Sequence, residues 1–139
     1  MKLSCCIIDD EPLALALIEN YVSKTPFLQL TGKFSSAIAA STTIQTNPPD
    51  ILYLDIQMAE LNGMEFARAV PDKTRIIFTT AFQQYALESY KVNALDYLLK
   101  PFSYAEFLAT ANKALQWYLL HEKAKNPTNR TSKNVFTLR

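Results

Sequence analysis

Short apolar runs alternate along the chain with segments whose apolar residues recur at helical spacing. The runs are rich in Ile, Leu, Cys and Phe and are bounded by polar residues, a pattern that predicts β-strands. The segments between them predict amphipathic helices. The predicted strands are residues 3–8, 27–34, 51–54, 75–79 and 94–99, and the predicted helices are residues 12–24, 35–46, 64–70, 85–92 and 103–121.

Strands joined through helices of this length need crossover connections, and such connections produce parallel sheets. The near-continuous apolarity of residues 51–54 and 76–78 agrees, because the central strands of a parallel sheet are buried on both faces. We therefore expect an α/β fold with a parallel five-stranded sheet and helices on both of its faces. Ligands of such sheets bind beyond the carboxyl ends of the strands.

Composition places these elements in one globular domain. The 139 residues are 49% hydrophobic and 19% charged, which suffices for a sizeable core and argues against general disorder. The net charge of +1 offers no broad attraction to nucleic acid or to an anionic membrane. The two glycines, Gly32 and Gly63, cannot form a Gly-rich phosphate loop.

Cys5 and Cys6 lie inside the first apolar run, where we expect buried, reduced thiols on opposite faces of a strand. Together with the single histidine, His121, they cannot form a zinc site of usual spacing. The chain shows no signal-peptide core and no apolar run of about 20 residues. A cytoplasmic protein without membrane contact is expected.

Polar residues follow four of the five predicted strands. They are Asp9 and Asp10 after the first strand, Asp55 after the third, Thr79 and Thr80 at the end of the fourth, and Lys100 after the fifth. Three carboxylates brought together repel one another unless a cation compensates, and Mg²⁺ prefers such oxygen ligands. With a lysine and a hydroxyl added, the set fits phosphoryl transfer in which one carboxylate is the nucleophile.

Each of these residues alone has a plainer interpretation. A single aspartate at a strand end is more often a helix cap or a turn residue. A threonine more often favours the strand itself, and a lysine is more often a solvated charge. When all of these residues occur together in this order at the strand ends, a functional site becomes the favoured interpretation.

As an ordered set, these residues resemble the receiver domain of bacterial two-component response regulators. The resemblance rests on DDEP at residues 9–12, LDIQM at 54–58, Gly63, TTA at 79–81 and DYLLKPF at 96–102. It spans residue 1 to about residue 120. The segments are similar to those of the LytTR-type (LytR/AlgR) branch, whose members usually carry a C-terminal DNA-binding domain.

The resemblance implies a flavodoxin-like, doubly wound sheet with strand order 2-1-3-4-5. It also implies that Asp55 is the phosphoacceptor. Asp9, Asp10, Asp55 and the backbone carbonyl of Gln57 would hold Mg²⁺.

Further roles follow from the same resemblance. Thr80 and Lys100 would contact the phosphoryl oxygens, and Tyr97 matches an aromatic switch residue that moves together with Thr80. The peptide bond before Pro101 is expected to be cis, which would aim Lys100 into the site. One departure stands out, since receivers usually have proline where this chain has Ala59. The loop after the phosphoacceptor is therefore expected to be less constrained.

The expected function is acceptance of a phosphoryl group from a sensor histidine kinase, in a self-catalysed step that needs Mg²⁺, without enzymatic turnover of another substrate. Residues 1–121 would form the receiver domain. Residues 122–139 would form a linker and the start of a C-terminal LytTR-type DNA-binding domain not contained in the chain. Output would be transcriptional, and homodimerisation would use the face made by residues 85–92, 94–99 and 103–120.

Two other functions share much of this pattern. A stand-alone adaptor or decoy receiver would have every site residue and no output domain. An aspartate-nucleophile Mg²⁺ phosphatase typically has a second aspartate two residues after the nucleophile, and Gln57 at that position counts against it. On the last helix, Trp117 and Leu120 extend the apolar surface, either as a partner face or as cover for the sheet edge.

Overall fold

A computed structural model of the chain describes residues 1–85, 92 and 94–125. In chain order, its elements are β1 (Leu3–Ile8), α1 (Pro12–Ser23), β2 (Leu28–Phe34), α2 (Ala37–Thr46), β3 (Ile51–Asp55), α3 (Gly63–Ala67), β4 (Arg75–Thr80), β5 (Asp96–Leu99) and α4 (Tyr104–Lys125). Most of the helix predicted at residues 85–92 lies outside the described residues, as does the segment 126–139.

The five strands form one parallel sheet in the order β2-β1-β3-β4-β5, which confirms the predicted fold. Register brings the strand ends together, because Ile8 pairs with Leu54, Asp55 with Thr79 and Thr80 with Leu99. The residues that follow these positions therefore meet at one edge of the sheet. That edge is where a doubly wound sheet binds ligands.

Strand alternation divides the core into two layers, one on each face of the sheet. Cys5 and Ile7 pack with residues of α1 and α4, whereas Cys6 and Ile8 pack with residues of α2 and α3. The two cysteines are fully buried, free and on opposite faces, as predicted. Burial on both faces fixes the strand register, since a slip by one residue would exchange the two layers.

Local sequence signals set most helix starts. Pro12 occupies the first turn of α1, and the Ser36 hydroxyl caps α2 by accepting a hydrogen bond from the Ala39 N–H at 3.0 Å. Ser103 and Glu106 form a reciprocal capping box before α4. Helix α4 continues four residues beyond its predicted end.

Helix α3 is shorter than predicted. We expected residues 64–70, but the regular helix spans Gly63–Ala67 and is followed by turns. Pro71 gives the reason, because it disfavours helical backbone at the preceding Val70.

Trp117 lies at the opposite end of the sheet from the predicted site. The guanidinium of Arg75, the first residue of β4, stands 4.6 Å from the centre of the half-buried Trp117 ring. The His121 ring stacks on the Trp117 ring, with 3.6 Å between the ring centres. Trp117 therefore covers the amino ends of the strands. In the described part of the chain, no helix has both the length and the apolar character needed to cross a membrane.

Candidate functional site

Three carboxylates converge at the carboxyl edge of the sheet. Asp9 follows β1 and is fully buried, Asp55 ends β3 and is 3% exposed, and Asp10 is exposed. One oxygen of each carboxylate lies within 4.8 Å of the others. The structure thus brings together the three aspartates that the sequence singled out.

Lys100 is the positive charge of this site. Its Nζ lies 2.9 Å from Asp9 Oδ2, 3.6 Å from Asp55 Oδ1 and 3.6 Å from Glu11 Oε1. The Lys100 N–H also donates to the Thr80 carbonyl at 2.7 Å, and the Lys100–Pro101 peptide bond is cis, as expected. The lysine is thereby held between the end of β4 and the aspartates.

Negative charge is in excess at the site. Burial, followed by the charge of Asp9, raises the pKa of Asp55 to about 7, although the Lys100 ammonium opposes the shift. Burial tends to lower the pKa of Lys100, but its hydrogen bond to Asp9 and the nearby carboxylates outweigh burial and leave that pKa raised. One ammonium does not balance these acids.

The donor set fits Mg²⁺. Carboxylate oxygens are the ligands this ion prefers, and the exposed side of the site leaves room for water and a phosphoryl oxygen. Among the described residues, Asp9, Asp10 and Asp55 are the group of acids that could hold a metal ion. Gln57, whose backbone carbonyl was predicted as a further ligand, follows Asp55 by two residues and lines the same cleft.

The Thr80 hydroxyl makes hydrogen bonds that the sequence did not indicate. It donates to Gln57 Oε1 at 2.9 Å and accepts from the Phe82 N–H at 3.0 Å, and the Phe82 carbonyl is a more distant acceptor at 3.5 Å. Thr80 is fully buried at the end of β4. The side chain of Gln57 therefore contacts the end of β4, a contact separate from the predicted role of its backbone carbonyl.

The loop after Asp55 folds back on the end of β3. The Gly63 N–H donates to the Ile56 carbonyl at 2.9 Å, and a Cβ at Gly63 would collide with the Asp55 carbonyl oxygen. Only glycine fits this approach without movement of the backbone. The loop is thus anchored at Asp55.

Ala59 supplies a second anchor in the same loop. Its N–H donates to Asp10 Oδ2 at 3.3 Å, a bond that proline could not make because it has no N–H. The sequence predicted a loss of constraint at this position. The structure shows a tie between the loop and a candidate metal ligand.

Tyr97 packs, half-buried, against the core layer that contains Phe78, its register partner on β4. The predicted switch residue is therefore one strand away from Thr80. Residues 86–91 of the predicted dimer face lie outside the described residues.

An open cleft of about 470 Å³ leads to the site. Phe82 stands at its rim with half of its surface exposed. The lining residues are Asp10, Glu11, Pro12, Asp55, Gln57, Ala81, Phe82 and Lys100. Asp55 therefore lines a cleft that is open to solvent.

The sheet is parallel and has a buried aspartate, two acidic neighbours and a lysine at its carboxyl edge. This combination is typical of phosphoacceptor domains in signal transduction. The sequence profile described as "Response regulator receiver domain" matches residues 5–112. The chain belongs to this family.

Known relatives agree with the family assignment. Over 114 residues, the chain is 35% identical to the sensory transduction protein LytT of Bacillus anthracis. The aligned region covers 80% of this chain and 46% of LytT. Over 112 residues, it is 34% identical to the transcriptional regulatory protein BtsR of Escherichia coli K12, covering 79% of this chain and 47% of BtsR. The similarity to LytT-type regulators confirms the predicted branch, and the chain spans about half the length of these relatives.

A solved structure shows the same fold. The response regulatory domain of the protein mrkE from Klebsiella pneumoniae superimposes with a TM-score of 0.78 at 25% identity, covering 85% of this chain and 99% of that domain.

Proposed function

We propose that Asp55 accepts a phosphoryl group from a sensor histidine kinase, with Mg²⁺ bound by Asp9, Asp10, Asp55 and the Gln57 carbonyl. The arrangement that carries this proposal is Lys100 Nζ between Asp9 and Asp55, at 2.9 and 3.6 Å, beside a third carboxylate. A buried nucleophile, a fixed cation and a divalent-ion site are the parts that phosphoryl transfer requires.

In the transfer step, a carboxylate oxygen of Asp55 attacks phosphorus and forms a P–O bond. The P–N bond of the phosphohistidine breaks, and the leaving imidazole nitrogen takes a proton. Lys100 and the Thr80 hydroxyl then bind phosphoryl oxygens that carry the transferred charge. When bound, Mg²⁺ supplies the remaining charge neutralisation and favours the ionised, nucleophilic form of Asp55.

A protein phosphodonor is supported by an apolar groove beside the site. Leu13 of α1 is 83% exposed, and it lines a cavity of about 380 Å³ that also contains Lys100 and Phe102. A Leu13→Lys variant should be phosphorylated more slowly by a phosphohistidine domain and at the normal rate by acetyl phosphate. Equal slowing with both donors would argue against protein docking at this groove.

We further propose a transcriptional output through a C-terminal domain outside this chain, with residues 1–121 as the receiver and 122–139 as the linker and start of that domain. The length of LytT and BtsR, about twice the matched region, supports this organisation. The adaptor function is the alternative. The mass of the natural protein separates them, since the adaptor would have no further domain.

Phosphorylation is proposed to drive homodimerisation through the face made by residues 85–92, 94–99 and 103–120. Thr80 would turn toward the phosphoryl group, and the Tyr97 ring would move into the space it leaves. Sedimentation with Mg²⁺, with and without the phosphoryl mimic beryllofluoride, tests this. A rise in mean mass is expected, and identical distributions at high concentration would favour the adaptor.

The chain is proposed to act on itself, not as a phosphatase of other substrates, because Gln57 offers no carboxylic acid for proton transfer to a leaving group. A cytoplasmic location accompanies the proposal and is supported by the two free, buried cysteines.

Incubation with acetyl phosphate and intact-mass measurement test the main proposal. One added phosphoryl group is expected in Mg²⁺ and none in excess chelator. Full labelling without the metal would overturn the Mg²⁺ requirement, and no labelling in either condition would overturn the function.

A further inference from the structure

The Thr80 hydroxyl has one proton, which it donates in a hydrogen bond to Gln57. The Thr80 Oγ1 donates to Gln57 Oε1 at 2.9 Å, while a lone pair of the same oxygen accepts the Phe82 N–H at 3.0 Å. A threonine hydroxyl can donate one hydrogen bond only. Gln57 Oε1 is the better acceptor of that proton, because it lies at 2.9 Å whereas the Phe82 carbonyl lies at 3.5 Å.

A phosphoryl group on Asp55 would compete for the same proton. Its oxygens are hydrogen-bond acceptors, so Thr80 can bind them only by donating. The hydroxyl cannot donate fully to Gln57 and to a phosphoryl oxygen at once. Contact with the phosphoryl group therefore requires that the bond to Gln57 breaks.

We propose that the Gln57 side chain restrains Thr80 in the unphosphorylated chain and so sets how readily the switch responds to Asp55. The inference rests on the proposed function, because it assumes that Thr80 contacts the phosphoryl group. It gives the side chain of Gln57 a role separate from that of its backbone carbonyl. Gln57 is a positioning residue that acts through Thr80.

The backbone of the loop that carries Gln57 has anchors that do not involve Thr80. The loop that carries it is tied to β3 by the Gly63–Ile56 hydrogen bond and to Asp10 by the Ala59 N–H. The buried Gln57 Nε2 has no hydrogen-bond partner among the described residues. The loop backbone is thus anchored on both sides of the site, and the amide oxygen of Gln57 is directed at the Thr80 hydroxyl.

The restraint has a measurable consequence for ligand affinity. Consider a ligand that binds only when Thr80 is released from Gln57. Its apparent affinity is the intrinsic affinity multiplied by the fraction of chains in which Thr80 is released. A neutral hydrogen bond changes such a population about fivefold. Removing the Gln57 acceptor should therefore tighten the binding of a phosphoryl mimic.

The experiment is a titration of the Mg²⁺-loaded chain with beryllofluoride, followed by the fluorine NMR signal of the bound mimic. Gln57→Met and Gln57→Leu each remove the acceptor oxygen and leave an apolar side chain of similar size. Both are expected to bind the mimic about fivefold more tightly than wild type. Thr80→Val supplies the matched background, because no hydroxyl remains to be restrained.

In the Thr80→Val background, Gln57→Met should change the affinity by less than about twofold. The same tightening with and without the hydroxyl would overturn the inference, as would equal or weaker binding by both Gln57 variants. Failure of the proposed function has another signature. Wild type would show no bound signal in Mg²⁺, or Thr80→Val would bind as tightly as wild type.

Discussion

Lys100 lies closer to Asp9 than to Asp55: its Nζ is 2.9 Å from Asp9 Oδ2 and 3.6 Å from Asp55 Oδ1. The lysine therefore binds a candidate metal ligand most closely, while Asp55, the proposed phosphoacceptor, lies as far from it as Glu11 does, at 3.6 Å. Since Mg²⁺ would share the charge of Asp9, the metal and the phosphoryl group together favour a shift of the ammonium toward Asp55.

Replacing Lys100 by Ala should slow labelling by acetyl phosphate about a hundredfold without abolishing it, because one cation is lost from the transferred charge while the nucleophile remains. The same variant should lose the dimerisation that beryllofluoride induces. Lys33→Ala is the control, since Lys33 is an exposed lysine of β2, paired with Glu19 at 2.9 Å and outside the proposed dimer face. Normal labelling and dimerisation by Lys100→Ala would contradict this role.

The metal-free chain should become less stable as pH rises from about 5 to about 8. The pKa of Asp55 is raised to about 7 in the fold, so the native state binds more protons than the unfolded state in this range. Stability then falls with increasing pH.

Asp55→Asn removes this titration. Over the same pH range, the free energy of unfolding of the variant should rise relative to that of wild type by more than about 1 kcal/mol. Denaturant unfolding in chelator measures it. A difference independent of pH would show that the fold does not raise the pKa of Asp55. Added Mg²⁺ should make the difference smaller.

Ala59→Pro should weaken Mg²⁺ binding about fivefold, because it removes the N–H that donates to Asp10 Oδ2 at 3.3 Å. Calorimetric titration with Mg²⁺ gives the affinity directly. Ala59→Ser keeps the N–H and should bind Mg²⁺ as wild type does. Equal affinity of the proline variant would show that the bond does not orient Asp10.

Phe82→Ala should shorten the lifetime of the phosphorylated chain. The half-exposed Phe82 ring lines the same cleft as Asp55, and we expect it to hinder the approach of water to a phosphoryl group there. Loss of the added mass after removal of acetyl phosphate gives the rate. An equal or slower loss in Phe82→Ala would refute the shielding role.

The fold and the charged residues of the site could be predicted from the sequence because each has a local signal. Apolar runs and crossover helices predict the sheet order once the family resemblance is added, and parallel strands bring Asp9, Asp55 and Lys100 to one edge. Ser103 and Pro12 mark helix starts in the same local way. These signals do not depend on side-chain contacts between distant segments.

The contacts of Gln57 and Ala59 could not be predicted in this way. Both arise from how the loop after Asp55 folds over the sheet edge, which depends on the close approach of Gly63 to the Asp55 carbonyl. A backbone N–H, as in Ala59, has no signature in sequence. The polar side chain of Gln57 has many partners within reach until the end of β4 is placed beside it.

The most direct measurement of the central claim is the intact mass of wild type and Asp55→Asn after incubation with acetyl phosphate and Mg²⁺, with Asp96→Asn as a control acid away from the cleft. We expect one phosphoryl group on wild type and on Asp96→Asn, and none on Asp55→Asn. One phosphoryl group retained by Asp55→Asn would contradict the assignment of Asp55 as the phosphoacceptor.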